Sequence, residues 1–481
     1  MFTHPRVFAL HVLVAQVLVL PLWAETELDR KIRSVETGLL PAVAIEGRPV
    51  QRMTIAERTK HHKTPGVSIA VISGGEIEWA RGYGLVSSEG QRPVTVDTLF
   101  QAASISKPVT AMVALRLMEL GKLSLDEDVN ARLRSWKVVE NDFCKTEKIS
   151  LRRLLSHTAG LTVHGFPGYA DGEPIPSLLQ ILDGTKPANS PPIRVEAVPG
   201  SRWRYSGGGY EVVQLLVEDV TGRPFREVAR ELVLDPLGMR GSTFEQPLSG
   251  GRIADAATGH RSNGSPVQGK WHTYPELAAA GLWTTPSDLA RVVREIQSPD
   301  RVLKPATVKE MLTGVLGAYG LGLGLGDTAG LKSFSHNGGN EGFRCTLFGY
   351  CDSGRGAVVM TNGDRGDGLS REILSAISAE YGWPDFQPRR KAVASVPAQV
   401  LQSYAGKYQA PGGRLTTVVF ENGRLYVQLL PGVRFEMLPE SEDAFFDPEG
   451  AVPDLRFVKK ADQSMEIVGG GTTARRIEDS R

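Results

Sequence analysis

The chain has 481 residues, 41% hydrophobic and 23% charged, the balance of an ordinary soluble protein with a sizeable core. That length is generous for one compact unit, so two domains with accessories are expected. With 55 basic and 54 acidic residues the formal net charge is +1, which gives no electrostatic appetite for nucleic acid or an anionic membrane surface.

The elements follow in chain order. Arg6 opens a mostly apolar run over residues 7–20, and Pro21-Leu22-Trp23-Ala24 leads into the charged Glu25-Thr26-Glu27. This is the pattern of an export signal over 1–24 cleaved after Ala24, leaving a periplasmic or secreted protein with no stable membrane span. Helices are expected at 25–39 and 50–62, with the basic run Arg58 to Lys63 as the solvated end of the second. Residues 66–72 and 77–82 read as a β-hairpin about Ser73-Gly74-Gly75. Ser104 then stands where an N-cap would precede a helix, and Pro108 sits in its first turn.

The middle of the chain is helical. A leucine stripe (Leu151, Leu154, Leu155) ends at Gly160, and His157 at that helix end reads as a structural hydrogen bond that fixes the loop. The proline- and glycine-rich segment 165–199, with one helical patch at 177–182, is a candidate pocket wall. Helices resume at 210–221 and 224–234, and Thr285-Pro286-Ser287-Asp288 is a further helix start. Strand-like sequence returns at 319–326, 346–350 and 356–361, and residues 370–380 form a closing helix. Residues 25–385 thus read as an α/β domain whose helical cluster is an insertion. A linker over 386–399 leads to a small all-β domain over 400–481, a barrel or a sandwich, with strands at 406–408, 415–420, 425–430 and 455–459. The three cysteines, Cys144, Cys345 and Cys351, make neither a disulfide framework nor a metal set. Buried free thiols are expected, with a bridge from Cys144 left open.

The chemistry is carried by residues far apart in sequence. Ser104 and Lys107 are one helical turn apart and project to the same side. A hydroxyl beside an amine at a helix start can be a nucleophile with its own base. This is the only Ser-x-x-Lys in the chain, and His336-Asn337-Gly338 is the only His-x-Gly. Between them Tyr205-Ser206-Gly207-Gly208-Gly209 puts a tyrosine at the mouth of a glycine-rich loop. Gly-x-Ser-x-Gly and His-Glu-x-x-His are absent, and no cofactor or metal is expected.

In this order the motifs Ala103-Ser104-Ile105-Ser106-Lys107, Leu154-Leu155-Ser156-His157-Thr158-Ala159-Gly160-Leu161, Tyr205-Ser206-Gly207 and His336-Asn337-Gly338-Gly339 resemble the serine β-lactamase and penicillin-recognising superfamily. The likeness runs from about Pro65 to Tyr381 and is closest to the class C-like branch with its D-aminopeptidases and esterases. The resemblance implies an α/β (α+β) fold, an antiparallel sheet flanked by helices beside an all-helical region. It implies Ser104 as the acylated nucleophile, Lys107 or Tyr205 as its base, and the N–H groups of Ser104 and Gly339 as the oxyanion hole. His336, Gly338 and Asn340 would contact substrate, and glycine at 338 and 339 would keep its path clear.

Two departures matter. Gly207 stands where the family often has asparagine, and His336 where β-lactamases and peptidases commonly have lysine. The expected protein is therefore an exported serine hydrolase acting on small esters, amides or peptides. The alternatives are a weak class C-like β-lactamase or D-alanyl-D-alanine peptidase, and a non-catalytic binding or scaffold protein of the same fold.

Overall fold

The structure is a computed structural model that describes residues 1–2, 25–411, 413–430 and 433–477. The expected export signal lies almost wholly outside the described residues. Among them no helix is long and apolar enough to cross a membrane.

A six-stranded antiparallel sheet forms the frame. Its strands are β1 (Gly66–Ser73), β2 (Glu76–Gly84), β3 (Gly324–Thr328), β4 (Leu331–Asn340), β5 (Phe343–Tyr350) and β6 (Gly356–Thr361), in spatial order β2-β1-β6-β5-β4-β3. β1 and β6 are apolar almost throughout because both faces of the sheet are covered. Along β1, Val67, Ile69 and Val71 point to a core shared with α1 (Glu27–Thr37) and the closing helix. Ala70 and Ile72 point the other way, into the core of the helical region.

The helical region is built round α2 (Ser106–Glu119), buried on every side from Ser106 to Leu115. A helix without a polar face belongs at the centre of a domain, and this one packs against α3 (Gly207–Thr221) and the short α4 (Leu277–Ala280). The Thr285 signal starts α5 (Pro286–Gln297), where the Thr285 side chain accepts from the Asp288 N–H. The chain closes on α6 (Gly366–Tyr381), and the C-terminal module is a closed eight-stranded antiparallel barrel over 406–477, which leaves it no open sheet edge.

β3 pairs only with residues 331–335 of β4, so His336 to Asn340 form an open strand edge facing the helical region. The cleft lies there.

Four local expectations are corrected. Ser104 is not an N-cap: it sits inside a separate short turn, Ala103–Ile105, and Ile105 holds the cap position. The strand expected at 319–326 begins only at Gly324, because Leu321 and Leu323 turn into the core instead of alternating. The basic run at 58–63 is not a solvated end. Arg58 and His62 both reach the Glu372 carboxylate of α6, at 2.6 and 3.0 Å, and all three side chains are largely buried. Cys351 is only half-buried, whereas Cys144 and Cys345 are buried, and all three are free thiols.

Candidate active site

The site starts from a strained turn. Ala103 has φ +50°, a left-handed conformation that a side chain disfavours, immediately before Ser104. Three hydrogen bonds hold it: Ala102 N–H to the Leu282 carbonyl (2.8 Å), Ser106 Oγ to the Ala103 carbonyl (2.6 Å), and Leu282 N–H to Ser106 Oγ (3.0 Å). Because Ser104 caps nothing, its Oγ is available to Lys107.

Lys107 is 2% exposed, and its Nζ donates to Ser104 Oγ at 3.1 Å and to the Ala279 carbonyl at 2.8 Å. No carboxylate lies within ion-pair distance of it among the described residues. Lys107 Nζ sits over the rings of Tyr205 and Tyr210, 5.0 and 5.6 Å from their centroids. Nucleophile, amine and Tyr205 are thus together, as the motif order required.

Tyr205 is placed by His157. The Ser206 N–H donates to His157 Nδ1 at 3.1 Å, and the Arg204 N–H donates to the His157 carbonyl at 2.8 Å, so both neighbours of Tyr205 are tied to one residue. The imidazole packs against Tyr205 with centroids 4.2 Å apart and the rings tilted by 35°. Burial first, then the charge of Lys107, holds His157 well below the ordinary histidine range. It is a neutral structural acceptor, in keeping with the reading of its position at a helix end.

His336 donates from Nδ1 to the Asn337 carbonyl at 2.7 Å, which leaves the Nε2 lone pair buried and unpartnered. Burial and the Lys107 charge push it down to about 3. A lysine at this position would be a fixed cation; His336 is uncharged at neutral pH.

Gly338 and Asn340 line the cleft and also have packing contacts of their own. A Cβ on Gly338 would lie 2.1 Å from the Ala102 carbonyl oxygen, so the glycine is needed for packing against the turn. At Gly339 a Cβ would meet only the Arg344 side chain, at 3.5 Å, an ordinary contact. Asn340 donates its amide to Gln101 Oε1 (2.8 Å) and the Ala280 carbonyl (3.2 Å), bracing β4 against α4. Arg344 is engaged with Asp364 and Asp367 at 3.2 and 3.4 Å.

The cleft has a volume of about 1370 Å³ and exposes Ser104, Lys107, Tyr205, His336 and Gly339. Part of its wall was foreseen in the long loop, whose Gly165 and Phe166 line it together with the preceding His164. They approach where Gly207 replaces the usual asparagine, since a Cβ there would lie 3.0 Å from the Phe166 ring and 3.1 Å from the His164 carbonyl. Other wall residues were not read from the sequence. Tyr319 and Trp203 pack against His157 with centroids at 5.0 and 6.2 Å, and Leu429 and Phe435 come from the barrel. None of them lies in a motif.

An antiparallel sheet flanked by helices, with a half-buried serine beside a buried lysine opposite its open edge, defines a β-lactamase-fold protein with the apparatus for acyl transfer. The profile of the Beta-lactamase family matches residues 52–380, more than half the chain, and the chain belongs to that family. It is 24% identical over 412 residues to penicillin-binding protein 4* of Bacillus subtilis (strain 168), covering 80% of this chain and 88% of that protein. It is 32% identical over 194 residues to esterase EstB of Burkholderia gladioli, covering 38% of this chain and 48% of EstB. Among solved structures, the octameric penicillin-binding protein homologue from Pyrococcus abyssi superposes with a TM-score of 0.62 at 22% identity, over 88% of this chain and 98% of that one. That likeness establishes the shared fold.

Proposed function

We propose that this protein is an exported serine hydrolase that cleaves small esters, amides or peptides through an acyl-enzyme on Ser104. The observation that carries the reading is the 3.1 Å hydrogen bond from Lys107 Nζ to Ser104 Oγ, inside a buried pocket that opens onto the cleft. Membership of a hydrolase family supports the reaction class, and relatives named as an esterase and a penicillin-binding protein bracket the substrates. The composition of residues 6–24 supports export.

In the forward step Ser104 Oγ attacks the substrate carbonyl carbon while its proton passes to the lone pair of Lys107 Nζ in its neutral amine form, directly or through the Tyr205 hydroxyl. The carbonyl oxygen gathers negative charge opposite the Ser104 and Gly339 N–H groups, and losing one such donor typically raises a barrier by about 3 kcal/mol. Collapse breaks the bond to the alcohol or amine, which leaves with the proton. Water then attacks the acyl-Ser104 carbonyl, loses its proton to the same relay, and frees the acid and Ser104.

Substrate preference follows from charge. With His336 neutral, the cleft lacks at that position the cation that would anchor a substrate carboxylate, which favours uncharged esters and amides. The test is incubation with a fluorophosphonate probe and a panel of chromogenic esters and D-amino acid amides, followed by mass spectrometry. A Ser104 adduct with turnover is expected. No adduct and no turnover would overturn the proposal, and nitrocefin hydrolysis at rates comparable to the ester rates would overturn the preference.

A further inference from the structure

Lys107 is held from behind by the backbone carbonyl of Ala279, and the N–H of that same residue is held by a second buried ionisable group. The helix α4 has only four residues, so most of its N–H groups lack intrahelical acceptors, and none of its own side chains caps them. Two side chains of α3, one helical turn apart, cap it from outside. Gln214 Oε1 accepts the Ala278 N–H at 3.1 Å, and Glu211 Oε1 accepts the Ala279 N–H at 3.2 Å. The carbonyl of Ala279 then accepts from Lys107 Nζ at 2.8 Å, and the same Nζ reaches Ser104 Oγ. The residue Ala279 therefore has Glu211 on its N–H and Lys107 on its carbonyl, two adjoining peptide units joined at one Cα.

Glu211 is an uncommon residue for that task. It is fully buried, and its second oxygen, Oε2, has no partner. Glu276, also fully buried, lies beside it with the Tyr169 hydroxyl as its neighbour. Burial first, then the neighbouring Glu276, pushes the Glu211 carboxyl well above the usual range. A buried acid with so little hydrogen bonding is costly to the fold.

We propose that Glu211 is a positioning residue for the reaction: by gripping the Ala279 N–H it aims the Ala279 carbonyl that sets Lys107 Nζ against Ser104. This role rests on the serine-hydrolase reading above. What matters is the acceptor oxygen at the Glu211 position and its reach. A glutamine keeps both, an aspartate keeps the acid but withdraws it by one methylene, and a methionine keeps the length and loses the oxygen.

The experiment compares wild type with Glu211→Gln, Glu211→Met and Glu211→Asp, using p-nitrophenyl butyrate turnover and the rate of fluorophosphonate labelling at Ser104. A displacement of reacting groups by a fraction of an ångström to 1 Å lowers rates by about 10- to 100-fold, and this loss of kcat is expected for Met and Asp with KM nearly unchanged. Ser104 labelling should slow in parallel, and Glu211→Gln should recover kcat to within about threefold of wild type. If Glu211→Met does not fold, judged by circular dichroism, Glu211→Asp carries the test. Wild-type kcat in whichever folded variant lacks the reach or the oxygen would overturn the proposal, as would a Glu211→Gln enzyme as slow as Glu211→Asp. Wild type that takes no label at Ser104 would sink the hydrolase reading itself, a separable result.

Discussion

Gly338 on β4 lies against Ala102, so closely that a Cβ at 338 would stand 2.1 Å from the Ala102 carbonyl oxygen. The contact joins the open edge strand to the strained turn that presents Ser104, and it explains the glycine without reference to substrate. Gly338→Ala must push β4 or the turn aside, and overpacking of this kind costs about 1–3 kcal/mol. A lower Tm and slower Ser104 labelling are expected together. Gly339→Ala, whose added carbon meets only the flexible Arg344 side chain, should keep the wild-type Tm. Differential scanning calorimetry of the two variants checks this, and equal Tm losses would contradict it.

Lys107 carries the proton transfer in the proposed step. Lys107→Met keeps the buried stem and removes the amine, which should lower kcat for p-nitrophenyl butyrate by about 100- to 10,000-fold. Far-ultraviolet circular dichroism should be unchanged. A Lys107→Met enzyme within about threefold of wild type would assign the base elsewhere, with Tyr205 the next residue to change.

His336 should contribute no ionisation to catalysis between pH 5 and 8, because burial and Lys107 place its titration at about 3. The shape of the kcat/KM profile over that range should therefore be the same in wild type and in His336→Gln, even where the absolute rate differs. A limb near the ordinary histidine value that is present in wild type and absent in the variant would show that the imidazole does ionise in the site.

Glu276 should make the fold less stable toward alkaline pH. Burial raises its carboxyl to about 8, whereas the unfolded chain ionises near the ordinary value of 4.5. Between these values the folded state binds the extra proton, so stability declines as pH rises through the interval. His157 and His336 act in the opposite sense at lower pH. Both are depressed in the fold, so the unfolded chain binds more protons below about 6.5, and stability falls as pH drops. From pH 6.5 to 8 the carboxyl effect of Glu276 and Glu211 should dominate these buried groups, and Tm should decline. In Glu276→Gln that decline should be visibly flatter, as read by calorimetry at several pH values, and an unchanged slope would contradict the assignment.

Much of the frame was legible in the chain because it is written over short distances. The β1–β2 hairpin, the start of α5 at Thr285-Pro286 and the helix after Ser104 all rest on alternation, turn residues and caps, which act within a few residues. The spacing of Ser104 and Lys107 is of the same kind: three positions on a helix make neighbours wherever that helix goes. Where local pattern misled, packing overrode it. Leu321 and Leu323 turned into the core instead of alternating along a strand, and Arg58 and His62 found Glu372 instead of water.

The sequence by itself thus determined which side chains could do chemistry and that two of them would meet. Only the tertiary structure decided how Lys107 is aimed. Its grip on the Ala279 carbonyl, and that of Glu211 on the Ala279 N–H, join α2, α3 and α4 across 172 and 68 residues. Ala279 announces nothing in a run of alanines, because its contribution is a backbone peptide shared by every residue. The same holds for the neutral state of His336. A histidine is a switch or a fixed neutral acceptor according to what buries it, and that is a property of the folded surroundings.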